Sequence, residues 1–273
     1  MQDKLLSPRI RPNKSWIPNV LTLGNLAFGF IVIWLALAKR DQFYENPAKF
    51  FTLLGLLLLI ACACDFLDGF LARKMNVSSS LGIELDSLAD LISFGVAPVI
   101  VFYICLFDET PSIYSFTACL GYLGAGAWRL ARFNQSTLAT RKPNAYFDGL
   151  PITGASLFWA SLLLFLGQQA GNSIFEDHET GLRRVLIFLF AAIGYLMVSH
   201  FPYRSLKAPA KKSLNLGRQL TLLVILGVLV FFRFGPEVAL VLVPVAYIFG
   251  TPLAIFWKKI SNNEEMALRQ RPL

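Results

Sequence analysis

The sequence predicts an all-α fold, a polytopic integral membrane bundle of about eight transmembrane helices. Three observations carry this. Of the 273 residues, 55% are hydrophobic and only 15% are charged, the balance of a membrane chain rather than of a soluble core. Apolar stretches recur along the chain, several near the roughly 20 residues that a helix needs to cross a bilayer. The links between them are short and hold most of the charge. The expected organisation is an N-terminal segment 1–16, a transmembrane domain 17–257 and a tail 258–273.

The spans expected are 17–38, 50–73, 82–107, 112–133, 151–167, 183–199, 217–232 and 237–257. The first opens with Trp16, suited to the membrane interface, and Pro18, suited to a first helical turn. Thr22 and Asn25 lie inside it, where polar side chains serve helix packing or a site. The second and third spans carry the carboxylates described below. The fourth ends in Trp128-Arg129-Leu130-Ala131-Arg132-Phe133-Asn134, with Arg129 and Arg132 on one helical face. The string Phe147-Asp148-Gly149-Leu150-Pro151 follows as a loop rich in turn residues. Cys62, Cys64, Cys105 and Cys119 all fall in apolar segments and read as small buried hydrophobes. His178 and His200 read as solvated loop residues, and the phenylalanines as lipid-facing and packing surface. With its polar, basic start from Met1 to Ser15, no cleavable signal is expected.

Loop charge sets the expected orientation. Lys4, Arg9, Arg11 and Lys14 precede the first span, and Arg73 and Lys74 follow the second. Arg141 and Lys142, then Arg204, Lys207, Lys211 and Lys212, then Lys258 and Lys259 mark later links on the same side. The alternate links hold Asp108 and Glu109, then Glu176, Asp177 and Glu179. The first link is the exception, with Lys39, Arg40 and Lys49 against Asp41 and Glu45. The positive-inside bias puts both termini in the cytoplasm. The net charge of +8 is then explained by these loops and by anionic lipid headgroups, and no nucleic acid is expected as a partner.

The stretch from Asp65 to Asp90 organises the rest. Asp65 and Asp68 are spaced i, i+3, and Asp86 and Asp90 are spaced i, i+4, so each pair shares a helical face. Ionisable residues within apolar spans are costly and mark function. The short link from Lys74 to Leu81 makes the two helices antiparallel neighbours, so the faces can converge. Asp65 lies about 12 Å along the helix from Arg73, which places the group inside the membrane but near its cytoplasmic surface. Carboxylates so close repel one another unless cations neutralise them, and an all-oxygen ligand set favours Mg²⁺ or Mn²⁺.

Asp65, Asp68, Gly69, Ala72, Arg73, Gly82, Asp86 and Asp90 match the pattern D-x2-D-G-x2-A-R-x8-G-x3-D-x3-D without a gap. The chain thereby resembles the CDP-alcohol phosphatidyltransferases. The RLARFN and FDGLP strings, and Leu196-Met197-Val198-Ser199 followed by Tyr203 and Ser205, resemble the phosphatidylserine synthase branch. It departs from that branch at Thr153-Gly154, where a Pro-Ala step is usual, and at His200-Phe201-Pro202, where a polar-basic stretch is usual.

The resemblance implies a homodimeric membrane enzyme with CDP-diacylglycerol and L-serine as substrates, two divalent cations, and lipids around it. It implies Asp65, Asp68 and Asp86 as principal metal ligands, with Asp90 the general base and a further ligand. It also places Thr22 and Asn25 against the nucleotide. Gly69 and Gly82, lacking side chains, would let the nucleotide approach both helices. Arg73 would pair with a phosphate or the aspartates, or anchor the helix at the interface. Arg129 and Arg132 either snorkel to headgroups or supply charge for a phosphate or the serine carboxylate. Glycerol 3-phosphate, inositol or inositol phosphate are alternative acceptors. A cation transporter is a reading from another class, which explains buried aspartates but not the fixed glycine and arginine positions.

Overall fold

The computed structural model describes residues 16–75, 80–107, 112–140, 146–170, 179–204 and 236–269. The expected span 217–232 lies outside these residues, as do the loop charges at Lys4, Asp108, Arg141, Glu176 and Lys207 and the ends of the chain. The described residues are almost entirely helical. Helix α1 is Trp16–Ala38, α2 Arg40–Glu45, α3 Pro47–Met75 and α4 Ser80–Asp90. From α4 one rod continues through a π-helical turn, Leu91–Val96, into α5, Ala97–Phe102, and a second π-helical stretch, Tyr103–Phe107. Then come α6 Ile113–Thr140, β1 Tyr146–Asp148, α7 Ile152–Gln169, α8 Glu179–Val198, β2 Pro202–Arg204 and α9 Pro236–Arg269.

Six of these helical stretches are long and apolar enough to cross a membrane, against eight spans expected. They are Trp16–Ala38, Pro47–Met75, Leu81–Phe107, Ile152–Gln169, Gly181–Val198 and Val238–Phe256. The polytopic all-α expectation therefore holds, and the six are those found among the described residues. A helix does form at the expected fourth span, but Gly121, Gly124, Gly126, Arg129 and Arg132 keep α6 less apolar than the six.

Helix α1 packs against α3, α3 against α7, and α7 against α9, while α6 pairs with α8. The rod 80–107 lies against α1 and α6. Outward faces carry Phe30, Trp34, Phe116, Leu120, Phe188 and Tyr195, as expected of side chains meeting lipid tails rather than water. Inside, an aromatic cluster joins four elements. Trp159 of α7 stacks on Phe190 of α8 with centroids 4.0 Å apart, and Tyr122 of α6 meets Phe190 edge-on at 5.2 Å. Phe102 of α5 closes it against Trp159 at 5.0 Å. Such offset and edge-on pairs contribute about 0.5–1.5 kcal/mol each beyond area burial.

The π-helical turn after Asp90 has a local cause. Pro98 has no N–H to give the Phe94 carbonyl four residues earlier, so the regular ladder cannot pass this point. The Ala97 N–H reaches back to the Ile92 carbonyl instead. The hydroxyl of Tyr122, fully buried on α6, donates to the Phe94 carbonyl at 2.8 Å. Close approach helps hold the rod to α1. A Cβ on Gly29 would collide with Ser93, whose hydroxyl donates to the Asn25 carbonyl at 2.9 Å.

The FDGLP string was expected as a loop. Its first residues form β1, which pairs antiparallel with β2 in the register Tyr146↔Arg204, Phe147↔Tyr203, Asp148↔Pro202. This two-stranded ladder is the one departure from pure helix among the described residues. Three-residue strands carry no periodicity of their own, and these two form because distant parts of the chain are pinned together. Gly149 turns the chain at φ +81, where a Cβ would run into the carbonyls of Met197 and Ser199. Its N–H donates to the Phe201 carbonyl at 2.9 Å, and the Leu150 N–H to the Leu196 carbonyl at 3.0 Å. The Tyr203 hydroxyl donates to the Ile248 carbonyl at 2.7 Å and ties the ladder to α9.

Candidate active site

The four aspartates occupy the facing surfaces of α3 and α4. Asp65, Asp68 and Asp86 each present a carboxylate oxygen, and these oxygens lie within 4.8 Å of one another. Two of the three come from adjacent turns of α3, and the third crosses from α4. Asp68 is buried, and Asp65 and Asp86 are half-buried. Asp90, one turn beyond Asp86, is 5% exposed. Three ionised carboxylates at these separations repel by about 3.5 kcal/mol or more per pair at an effective dielectric near 20. An oxygen-only cluster so placed fits hard divalent cations. The residues present therefore suit the group that the sequence led us to expect.

Helix α1 orients two of the four. The Thr22 hydroxyl donates to Asp68 Oδ2 at 2.6 Å, and Asn25 Nδ2 donates to Asp90 Oδ1 at 3.0 Å. Thr22 and Asn25 are i, i+3 and share a face, and both are buried. One helix face thus sets one carboxylate from each pair. The sequence suggested a nucleotide contact for these residues; the structure places both side chains on the aspartates. On the other side, Asn134 Nδ2 of α6 donates to the Ser87 hydroxyl at 2.9 Å, which fixes the turn between Asp86 and Asp90.

The two arginines of the RLARFN string divide. Arg132 is engaged with backbone. Its guanidinium donates to the carbonyls of Asp148 at 2.6 Å, Val198 at 3.2 Å, Met197 at 3.3 Å and Ser199 at 3.4 Å. The exposed ends of α8 and β1 leave carbonyls without helical partners, and a planar fork with five donors suits them. Arg132 is thus placed as a brace, and the sequence expectation of a phosphate or carboxylate contact has no geometric support there. Arg129 is buried at 6% exposure, within electrostatic reach of Asp90, Tyr247 and Asp65. It is the arginine that faces the carboxylates.

The remaining expected residues fall at the rim. Gly69 and Gly82 are partly buried on the facing helices, and Arg73 is exposed in the last turn of α3. Cys62 Sγ lies 3.7 Å from the Ser156 hydroxyl, Cys105 and Cys119 are buried, and all four cysteines are free thiols. His200 is exposed. Sequence reasoning missed Tyr247, which α9 brings to Arg129; its one signal was a hydroxyl in an apolar span. The Ser87–Asn134 link was also missed.

Comparison with known proteins agrees with this geometry. The profile of the family described as CDP-alcohol phosphatidyltransferase matches residues 15–251. The CDP-diacylglycerol–serine O-phosphatidyltransferase of Bacillus subtilis is 33% identical over 208 residues, covering 75% of this chain and 98% of that protein. The Helicobacter pylori (strain 26695) protein of the same name is 32% identical over 216 residues, covering 79% of this chain and 81% of that one. The Saccharomyces cerevisiae protein so named is 41% identical over 182 residues, covering 61% of this chain and 59% of that one. The matched region contains every aspartate of the cluster and both residues of α1 that orient them, and on that ground this chain belongs to the CDP-alcohol phosphatidyltransferase family.

Proposed function

We propose that the protein transfers the phosphatidyl group of CDP-diacylglycerol to the hydroxyl of L-serine, giving phosphatidylserine and CMP. The observation that carries this reading is the convergence of Asp65, Asp68 and Asp86 with Asp90 buried one turn beyond. Relatives named for the serine reaction support the acceptor. Asp65, Asp68, Asp86 and Asp90 would hold two divalent cations, Mg²⁺ or Mn²⁺. Bound there, such cations neutralise the pyrophosphate and stabilise the oxygen that leaves.

The chain's own residues do the rest. Thr22 and Asn25 hold Asp68 and Asp90 in fixed orientations, so little reorganisation is left for the reaction itself. Gly69 and Gly82 let the nucleotide lie close to both helices, and Arg73 pairs with a phosphate at the membrane surface. The serine oxygen bonds to the lipid-side phosphorus, and the bond from that phosphorus to the bridging oxygen breaks. CMP leaves with the electron pair, and Asp90 takes the hydroxyl proton. In-line displacement puts the hydroxyl opposite the departing CMP, so the base has to stand away from the nucleotide, and the position of Asp90 one turn beyond Asp86 supports that role. Arg129 receives the serine carboxylate. The positive-inside bias supports cytoplasmic termini and a site near the cytoplasmic face, and the family resemblance supports a homodimer.

The test is CMP release by the purified protein from CDP-diacylglycerol with L-serine, glycerol 3-phosphate, inositol or inositol phosphate, with and without chelator. We expect release with L-serine and its loss on chelation. Release with a different acceptor alone would move the protein elsewhere in the family. Cation uptake into vesicles without CMP release would make it a transporter.

A further inference from the structure

Asn25 has a second polar atom at the site. Its Nδ2 is engaged with Asp90, but its Oδ1 is also buried, and no donor among the described residues bonds to it. The two atoms belong to one planar amide, so Oδ1 lies within roughly 5 Å of the Asp90 carboxylate. A buried acceptor left without a donor is costly, and Asn25 is fully enclosed at 0% exposure. The proton acceptor proposed for the incoming hydroxyl and a vacant carbonyl acceptor thus sit side by side. A hydroxyl and a second donor on neighbouring carbons are close enough together to satisfy both.

We infer that Asn25 Oδ1 receives the ammonium group of the acceptor and so selects a β-hydroxy amine over acceptors without nitrogen. This rests on the proposed transfer to serine and adds the residue that recognises its amine. In L-serine the ammonium and the hydroxyl are on adjacent carbons, and the third substituent is a carboxylate. Arg129 acts electrostatically on Asp90 from α6, which like α1 packs against the 80–107 rod. The three functional groups of one small molecule thereby meet three residues: Asp90 the hydroxyl, Asn25 the ammonium, Arg129 the carboxylate. Glycerol 3-phosphate and inositol have no N–H for Asn25 Oδ1. The competing use of that oxygen is a donor on the nucleotide, and Thr22 on the same face argues against it. Thr22 serves Asp68 within the cation cluster, whereas Asn25 serves the aspartate at the far end of α4.

The experiment uses the full chain in detergent with Asn25→Ala and Asn25→Asp, and 3-hydroxypropanoate, which is serine without its amine, as competitor. Thermal unfolding in detergent, against the wild type, checks that each variant is folded. Asn25→Ala is expected to raise the KM for L-serine about tenfold or more, the size of one lost charge-assisted hydrogen bond. The inhibition constant of 3-hydroxypropanoate should stay within about twofold of wild type on the same reasoning. Asn25→Asp keeps an acceptor oxygen and loses the donor to Asp90. It should leave the serine KM at or below wild type and lower kcat. In the wild type itself, 3-hydroxypropanoate should bind at least about tenfold more weakly than L-serine, which tests the idea without any variant. An unchanged serine KM in Asn25→Ala, or serine KM and competitor constant rising together, overturns the inference. So does a rise confined to the KM for CDP-diacylglycerol, which would return Asn25 to the nucleotide. Transfer by the wild type only to acceptors lacking nitrogen would overturn the proposed reaction as well, and so separates the two failures.

Discussion

Tyr122→Phe isolates a single hydroxyl that holds the helical rod beyond Asp90. The ring is retained, so its edge-on contacts with Phe190 at 5.2 Å and Trp159 at 5.9 Å survive. What is lost is the 2.8 Å bond to the Phe94 carbonyl. A buried acceptor stripped of its donor costs about 1–3 kcal/mol, and lipid offers no substitute partner. The expected effect is about 2 kcal/mol, or roughly 3–4 °C in the midpoint of thermal unfolding for a chain of this size. Because the π-helical turn starts at Leu91, directly after Asp90, kcat should fall while metal-dependent binding of CDP-diacylglycerol persists. The decisive step is a double-mutant cycle with Pro98→Ala, which supplies the N–H that proline lacks. If the Tyr122 hydroxyl stands in for that N–H, Tyr122→Phe should cost much less in the Pro98→Ala background, with a coupling of about 1 kcal/mol or more. Thermal unfolding of the four proteins in one detergent reads this out. Equal costs in both backgrounds would refute the reasoning.

Further expectations concern the brace and the carboxylates. Gly149→Ala should destabilise the protein by more than about 2 kcal/mol, because a positive φ costs roughly 1–2 kcal/mol for an L-residue and the new Cβ meets two carbonyls; chemical denaturation in detergent checks it. Arg132→Lys loses a fork shared by four carbonyls and should lower stability by about 1–3 kcal/mol without a selective change in the serine KM. Asp65→Asn, Asp68→Asn and Asp86→Asn should each cut CMP release at least about a hundredfold in folded protein, and near-normal release by all three would remove the metal reading. Asp90→Asn should suppress turnover yet largely keep metal-dependent nucleotide-lipid binding; loss of both would make Asp90 a metal ligand first.

The aspartate cluster was legible because its information is local. The spacings i, i+3 and i, i+4 on adjoining helices with a short link leave little freedom in where the four carboxylates meet. Thr22 and Asn25 were visible as polar residues in an apolar span, but their partners 46 and 65 residues away were not. Long-range pairing likewise hid the β ladder and the brace. Nothing near Arg132 distinguishes it from Arg129 at helical spacing, and the difference arises only when the ends of α8 and β1 bring carbonyls to one and not the other. Tyr247 was hidden for the same reason, since it lies far along the chain from Arg129 and the other site residues.

The central claim is that serine oxygen attacks the lipid-side phosphorus. L-Serine labelled with ¹⁸O in its hydroxyl, incubated with CDP-diacylglycerol, the protein and Mg²⁺ or Mn²⁺, tests it by mass spectrometry of both products. The predicted result is phosphatidylserine that retains the label in its phosphodiester, together with unlabelled CMP. Label in the nucleotide product, or CMP released beside phosphatidic acid with no phosphatidylserine, would contradict it.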